Sequence, residues 1–278
     1  MKINFKTLGI TATMLTGFVL AGNVTPSFAE EGGGAGGVTQ KHTTNAILKF
    51  KPGGEEGEVT PPIDPTQPDN PNPVNPVDPT DPDGKPKPGT GGPLSIDFAS
   101  GLSFGEQKIS STTQVYKAKA QQFDKNRPNG EFGPNYVQVT DSRGTAAGWS
   151  LQVKQNGQFK IVGSKDDKLN GKELTGAEIT FKNAWVNSVA QSKKPSIVKE
   201  TFKLNTDGTG AADNIMSAKV EEGAGTYVLA FGNDTNGGDS IELSVPGSTT
   251  KYAEQYSTSL TWTLTDTPGQ GAGEPAKE

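Results

Sequence analysis

The feature that most constrains the fold of this chain is an alternation of apolar and polar residues that recurs from Leu94 to Thr267. Residues at this spacing lie on opposite faces of a β-strand, so each run places one face in a core and the other in water. No stretch shows the repeat of an amphipathic helix for more than two turns. The sequence therefore predicts an all-β domain, with strands at 137–139, 149–153, 179–181, 202–204, 227–231, 241–245 and 260–264.

Clusters of glycine, asparagine and aspartate separate these runs at intervals typical of turns between short strands. Asn156-Gly157 is a two-residue hairpin signal, because a type I′ turn needs a positive φ at both central positions. Many short strands joined by such turns indicate a β-sandwich or an irregular barrel. We assign residues 94–278 to this domain, which is long enough for a substantial core.

Two further segments precede the predicted domain. Residues 52–93 contain 13 of the 20 prolines and almost no apolar side chains. Because proline has no N–H for a β-ladder, this composition predicts an extended, disordered spacer. Residues 30–51 end in a stretch where Ala46, Leu48 and Phe50 alternate with other residues. That stretch predicts one short strand that could dock on the domain.

The first 29 residues have the composition of an export signal. Lys2 and Lys6 precede an apolar stretch from Leu8 to Ala21, which is too short to cross a bilayer. Cleavage after Ala29 would release a secreted protein; an N-terminal membrane anchor is the alternative. The C-terminal residues include neither a hydrophobic tail nor an LPxTG-like sorting motif. We therefore expect any attachment to the cell surface to be non-covalent.

Composition excludes several classes of function. The chain has no cysteine, a single histidine (His42) and a formal net charge of −5. These counts argue against disulfides, a multi-histidine zinc site, a Ser-His-Asp triad and nucleic-acid binding. Adjacent carboxylates such as Glu221 and Glu222 would face opposite ways on a strand, unlike the pair of a glycosidase. We expect no cofactor, no metal and no enzymatic activity.

Tryptophan residues are the candidates for ligand contact. Trp149 and Trp262 each stand two residues before a leucine, so each pair shares one face of a strand. They could belong to the core, or their rings could stack on a sugar. A third, Trp185, has polar neighbours, and neither alternative is favoured for it. The candidate ligand-binding or motif residues are Trp149, Leu151, Trp185, Trp262 and Leu264.

Four features occur along the chain in a distinctive order. They are the Ala46–Phe50 stretch before the Asp-Pro-rich segment, the pair LSIDF (94–98) and LSFG (102–105), the Trp149 triplet, and YSTSLTWTLTDTP (256–268). In this order they resemble the WxL family of cell-wall-binding domains. The resemblance implies a secreted surface protein of low-GC Gram-positive bacteria that binds peptidoglycan. It also implies membrane-anchored WxL-interacting proteins and other WxL proteins as partners. An adhesin for a host matrix protein remains the alternative.

Overall fold

A computed structural model describes residues 40–54, 58–124, 127–207 and 209–268. The predicted signal peptide and its cleavage site lie outside these ranges. Within them, no helix is long and apolar enough to span a membrane. The regular structure there consists of β-strands and one 3-10 turn at Gly237–Asp239.

The strands are short and follow one another along most of the described chain. They are β1 (Pro76–Val77), β2 (Leu94–Ala99), β3 (Gln114–Lys117), β4 (Gln121–Phe123), β5 (Phe132–Gly133), β6 (Asn135–Asp141), β7 (Trp149–Gln155), β8 (Lys160–Ile161), β9 (Glu178–Phe181), β10 (Ala184–Asn187), β11 (Ile197–Val198), β12 (Phe202–Lys203), β13 (Ala212–Ala218), β14 (Gly225–Phe231), β15 (Ile241–Val245), β16 (Tyr256–Ser257) and β17 (Leu260–Thr265).

Three four-stranded antiparallel sheets form the body. The central sheet has the order β10-β14-β6-β2, the Trp-x-Leu sheet β11-β13-β7-β17, and the third sheet β12-β9-β15-β3. Their inner faces enclose one core, in which the Phe181 ring lies 4.8 Å from that of Phe202 and 4.7 Å from that of Phe231. The predicted all-β class, a sandwich or irregular barrel, is confirmed.

The central sheet is buried on both faces. All seven residues of β6 are buried, including Gln138 on the face that the alternation assigned to water. A second apolar cluster covers that face; it joins Val74, Phe98, Phe123, Tyr136, Val228 and Ala230, with Ile63 packed against it. The prediction of one solvated face is therefore wrong for this sheet. Polar residues on this face of β6 form hydrogen bonds with another layer of the protein.

That outer layer is the proline-rich segment, which the sequence predicted to be a disordered spacer. Residues 58–93, named the strap here, lie on the domain. Asp64 and Val74 are fully buried, and β1 pairs with β4 in a small sheet β1-β4-β5. The spacer prediction is wrong because a few buried side chains and side-chain hydrogen bonds anchor the segment, so it needs no long β-ladder.

A repeated motif shapes the strap. Ile63-Asp64-Pro65-Thr66-Gln67-Pro68-Asp69 recurs as Val77-Asp78-Pro79-Thr80-Asp81-Pro82-Asp83. In each copy the first aspartate accepts hydrogen bonds from the amide and hydroxyl of the threonine two residues later. The distances are 2.9 and 3.0 Å at Asp64, and 2.8 and 2.7 Å at Asp78. Such Asx turns satisfy the backbone locally where proline prevents strand pairing.

Two smaller predictions are also corrected. Residues 45–51 form no strand, and Ile47, Leu48 and Phe50 are 96%, 77% and 84% exposed. Asn156-Gly157 lies in an irregular bend in which only Gly157 has a positive φ, and the flanking strands β7 and β8 do not pair with each other. Both sides of β7 are occupied by β13 and β17, so the expected hairpin has no free edge on which to form.

Candidate functional site

The first Trp-x-Leu pair lies inside the core. Trp149 is 1% exposed and Leu151 is 0% exposed, and the Trp149 indole N–H donates to the carbonyl of Gly223 at 2.9 Å. A Cβ at Gly223 would come within 2.6 Å of the Trp149 Nε1 atom, so only glycine fits beside the ring. No ligand can reach Trp149 while the fold is intact.

The second pair lies on the neighbouring strand in register with the first. In the ladder of β17 with β7, Leu264 is opposite Leu151 and Trp262 is opposite Val153. Trp262 packs against the core, with its ring edge-on to Phe181 at a centroid distance of 6.3 Å. Trp262 and Leu264 are only partly buried, because β17 is the last strand of its sheet.

Trp185 is the most exposed tryptophan. It lies on β10, an edge of the central sheet, with 36% of its surface accessible. Its indole N–H already donates to the carbonyl of Gly232 at 2.7 Å, which fixes the ring. Asn187, two residues along the same face, donates to the carbonyl of Pro65 in the strap at 3.1 Å. The ring is therefore held beside the strap with part of its apolar surface open.

Polar side chains form a network on the segments adjacent to Gly232 and Pro65, whose carbonyls accept from Trp185 and Asn187. Gln67 donates to Asn129 at 2.9 Å, and Asn129 donates to Asp234, two residues after the carbonyl that Trp185 binds, also at 2.9 Å. The Thr66 hydroxyl oxygen lies 3.2 Å from the same Asp234 carboxylate. The residues Trp185, Asn187, Thr66, Gln67, Asn129 and Asp234 are called the Trp185 surface here. Strap and domain both contribute to it.

A buried ion network fixes the strap beneath this surface. The Arg127 Nε atom lies 3.1 Å from an Asp64 carboxylate oxygen, and both side chains are fully buried. The guanidinium also donates to the Thr66 hydroxyl at 2.8 Å, to the Phe132 carbonyl at 2.7 Å and to Asp234. The charge of Arg127 is thus surrounded by acceptors, as a buried cation requires.

A second buried carboxylate connects the central sheet to the strap. Asp97 accepts from Ser95 and Thr140, both at 2.6 Å, and from Gln138 at 3.0 Å. Gln138 in turn donates to the carbonyl of Pro61 and accepts from the amide of Ile63. Burial raises the pKa of the Asp97 carboxyl above its ordinary value, and these hydrogen bonds partly oppose the increase.

Sequence reasoning missed every member of these two networks. Asp64 lies in the segment whose composition predicts a disordered spacer, although the repeated motif around it is a visible signal. For Arg127 and Asp97 the sequence offers no signal of this kind. Their partners are brought together only by the tertiary fold.

A separate polar cleft of about 790 Å³ lies at the C-terminal end of β7. Its lining includes Lys154, Asn156, Gln158, Lys160 and Glu173. Lys160 and Glu173 pair with each other at 3.1 Å, and the lining contains no aromatic ring. It offers a mixed-charge surface without a platform for a sugar.

These features define an all-β domain with a partly exposed tryptophan on a sheet edge. Within the described ranges no group of three or more His, Cys, Asp or Glu residues could hold a metal ion. A comparison with protein-family models then gives the family. Residues 37–268 match the model described as WxL domain, surface cell wall-binding, and the chain belongs to this family. The match begins before the strap and includes it, whereas the sequence placed the start of the domain at Leu94. No curated protein and no solved structure matches the chain.

Proposed function

We propose that this protein is a secreted, non-catalytic surface protein of a Gram-positive bacterium that binds peptidoglycan non-covalently. Membership of a cell-wall-binding family over most of the chain is the observation that carries the proposal. It acts within a surface complex that contains a membrane-anchored WxL-interacting protein and other WxL proteins. That part rests on the family resemblance of the sequence.

The Trp185 surface supports contact with a glycan. A sugar ring presents an apolar face that stacks on an aromatic ring, while its hydroxyl groups bond neighbouring amides and carboxylates. Trp185 supplies the exposed ring, Asn187 supplies an amide on the same face of β10, and Gln67 and Asn129 supply amides in the polar network described above. Trp149 is buried and cannot take this role. Trp262 has less exposed ring surface.

Charge favours a neutral sugar over an anionic wall polymer at this surface. Asp234 is exposed there, and Arg127, the cation that contacts it, has a fully buried side chain. No lysine or arginine belongs to the six residues that form the surface. A polyphosphate would therefore meet a carboxylate without a compensating exposed cation, whereas N-acetylglucosamine carries no charge.

A wall pull-down tests the proposal. The mature chain, residues 30–278, would be incubated with purified walls before and after removal of teichoic acids, and the retained fraction measured. We expect retention on both preparations. Trp185→Ala should reduce the binding constant by roughly tenfold or more, as tryptophan truncations at binding centres do.

Controls separate binding from folding. Trp185→Phe keeps a ring and should retain most of the binding, and Val220→Ala removes an apolar side chain that is 62% exposed elsewhere. Circular dichroism melts should show all three variants folded. If wild type is retained on neither of the two wall preparations, wall binding is refuted and an adhesin is favoured. Equal retention of wild type and Trp185→Ala would refute the role of Trp185 alone.

A further inference from the structure

The Asn156-Gly157 pair, which forms no hairpin in the structure, is one of four Asn-Gly pairs in the chain. The others are Asn129-Gly130, Asn170-Gly171 and Asn236-Gly237. In such a pair the glycine amide nitrogen can attack the carbonyl carbon of the asparagine side chain, because glycine has no side chain to obstruct the approach. Hydrogen bonds to the glycine amide or to the asparagine carbonyl oxygen oppose this attack, since they must break first. The four pairs can therefore be compared by how these two groups are held.

Three of the four pairs are held at both groups. In each, the glycine amide donates to a backbone carbonyl; the acceptors are Arg127 for Gly130 (3.3 Å), Ile161 for Gly171 (3.0 Å) and Asn233 for Gly237 (2.8 Å). In each, the asparagine Oδ1 atom also accepts a hydrogen bond; the donors are the Gln67 side chain for Asn129 (2.9 Å), the Ser164 amide for Asn170 (2.9 Å) and the Asn233 amide for Asn236 (2.7 Å). These contacts oppose attack at all three sites.

The Asn156-Gly157 pair is held at neither group. Within the described chain, the Gly157 amide and the Asn156 Oδ1 atom have no hydrogen-bond partner. Gly157 has a φ of 100°, and the position that a Cβ would take there is open. Asn156 is exposed, but so are Asn129 and Asn170, so exposure alone does not distinguish the sites. The freedom of the two reacting groups does.

We propose that Asn156 is a site of spontaneous deamidation, with water as the co-reactant. The Gly157 nitrogen loses its proton to solvent hydroxide and forms a bond to the Asn156 Cγ atom. The Cγ–Nδ2 bond then breaks, and ammonia leaves. Water opens the resulting succinimide at either of its carbonyl groups, which gives aspartate or isoaspartate. One water is consumed for each ammonia released, and nothing is oxidised or reduced.

Asn156 lies where a chemical change affects the attachment of the last strand. Its backbone N–H donates to the Ser259 carbonyl at 2.9 Å, and its side-chain amide donates to the hydroxyls of Ser259 and Thr261 at 3.0 and 2.9 Å. The Gly157 carbonyl accepts from the Thr258 hydroxyl at 2.9 Å. An aspartate can accept from the same hydroxyls and keep these contacts. Isoaspartate adds a methylene group to the main chain before Gly157, which displaces the Gly157 carbonyl from Thr258.

Deamidation also changes the charge of the polar cleft at the C-terminal end of β7, because Asn156 belongs to its lining. The four ionic residues of that lining are two lysines, Lys154 and Lys160, and two acids, Glu173 and Asp207. Their formal charges balance. Either product adds a carboxylate, so the cleft becomes acidic as the protein ages. This inference does not depend on the wall ligand.

Peptide mapping of the mature chain tests the proposal. Folded protein, residues 30–278, would be kept in isotopically labelled water at mildly alkaline pH, and conversion at the four Asn-Gly pairs followed by tandem mass spectrometry. We expect conversion at Asn156 to be roughly tenfold or more faster than at the other three, which must break their hydrogen bonds. The new carboxylate should carry the oxygen label. The rate should rise with pH, because the attacking nitrogen must lose a proton.

The unfolded chain is the control. In concentrated urea the four pairs should react at similar rates, because the contacts that hold three of them are lost. Asn156→Gln should remove the reaction at this position, since attack on the longer side chain must close a larger ring. In the folded protein, equal rates at the four pairs or faster conversion at any of the other three would overturn the proposal. An unmodified Asn156 in folded protein that reacts in urea would also overturn it.

Melting curves test the structural consequence. Aged protein would be separated by ion exchange into its aspartate and isoaspartate forms. We expect the isoaspartate form to melt at a lower temperature than fresh protein, and Asn156→Asp to melt close to wild type. An isoaspartate form that melts like fresh protein would contradict the displacement of the Gly157 carbonyl.

Discussion

Trp149 and Trp262 share a motif and a β-ladder, but they differ in burial. Trp149 is enclosed on every side, whereas Trp262 covers Phe181 at the margin of the core. The two copies of the motif therefore lie on paired strands, one inside the Trp-x-Leu sheet and one at its edge. The last strand, β17, pairs with the strand of Trp149 through all six of its residues.

Alanine substitutions should separate the two tryptophans. Trp149→Ala should lower the free energy of unfolding by about 3–5 kcal/mol, through lost burial and the cavity that remains. Trp262→Ala should cost roughly 1.5–3 kcal/mol, because less of its surface is removed from water. Urea denaturation of both variants measures the difference. A larger loss for Trp262 would show that the edge strand matters more to the core than burial indicates.

Asp97 should give the protein a component of pH dependence with a definite sign. A carboxyl whose pKa is raised in the folded state binds protons more readily there than in the unfolded chain. Its contribution to stability therefore falls as pH rises from about 3.9, the ordinary aspartate value, through its raised pKa.

Comparison with Asp97→Asn isolates this contribution. The free energy of unfolding of wild type minus that of the variant should decrease between about pH 4 and pH 7, because asparagine does not titrate. Urea denaturation at several pH values measures both proteins. A difference that increases with pH would mean that the hydrogen bonds to the carboxylate outweigh the effect of burial.

Among the elements, the strap departs most from what its sequence predicts. Its prolines exclude a long β-ladder, and from this the sequence correctly indicates irregular backbone. The attachment of the strap to the domain cannot be predicted from the sequence, because Asp64 meets Arg127 and Asp234 only after the domain has folded. The strands are predictable because alternation is a local property. All seven alternating runs contain residues of observed strands.

Two aspartates of one strap motif give a matched test. Asp64→Ala leaves the Arg127 charge buried with fewer acceptors and should cost about 3–5 kcal/mol of unfolding free energy. Asp69→Ala, at an exposed position in the same motif, should change it by less than about 0.5 kcal/mol. Thermal and urea denaturation of both variants provide the comparison. Equal stability of the two would mean that the buried contact between Asp64 and Arg127 contributes nothing to the free energy of unfolding.

Truncation after Gln255 tests the closing element. The shortened chain lacks β16 and β17, so β7 loses a six-residue ladder and Phe181 loses the cover of Trp262. We expect an unfolded or insoluble product, assessed by solubility and by the melting curve from circular dichroism. A soluble truncate with a cooperative melt would show that the core closes without its last strand.

For the whole molecule, non-covalent attachment predicts how the protein leaves the cell surface. Intact cells treated with a chaotrope should release the full-length mature chain without muramidase, because unfolding the domain removes its binding surface. Immunoblots of supernatant and cell pellet measure the release. Protein that stays in the pellet after boiling in detergent would indicate a covalent link and contradict the proposed mode of attachment.

The order of the strands in the sheets also determines when this chain can fold during its synthesis. The central sheet needs Gly225–Phe231, the third sheet Ile241–Val245 and the Trp-x-Leu sheet Leu260–Thr265, and each joins strands made much earlier. Contacts this distant in sequence slow folding, because the intervening chain must first be closed into loops. The strap is synthesised first, but the apolar cluster into which it packs is complete only when β14 is present. A growing chain therefore cannot complete its three large sheets until β17 has been synthesised, and this late closure is compatible with the export proposed above.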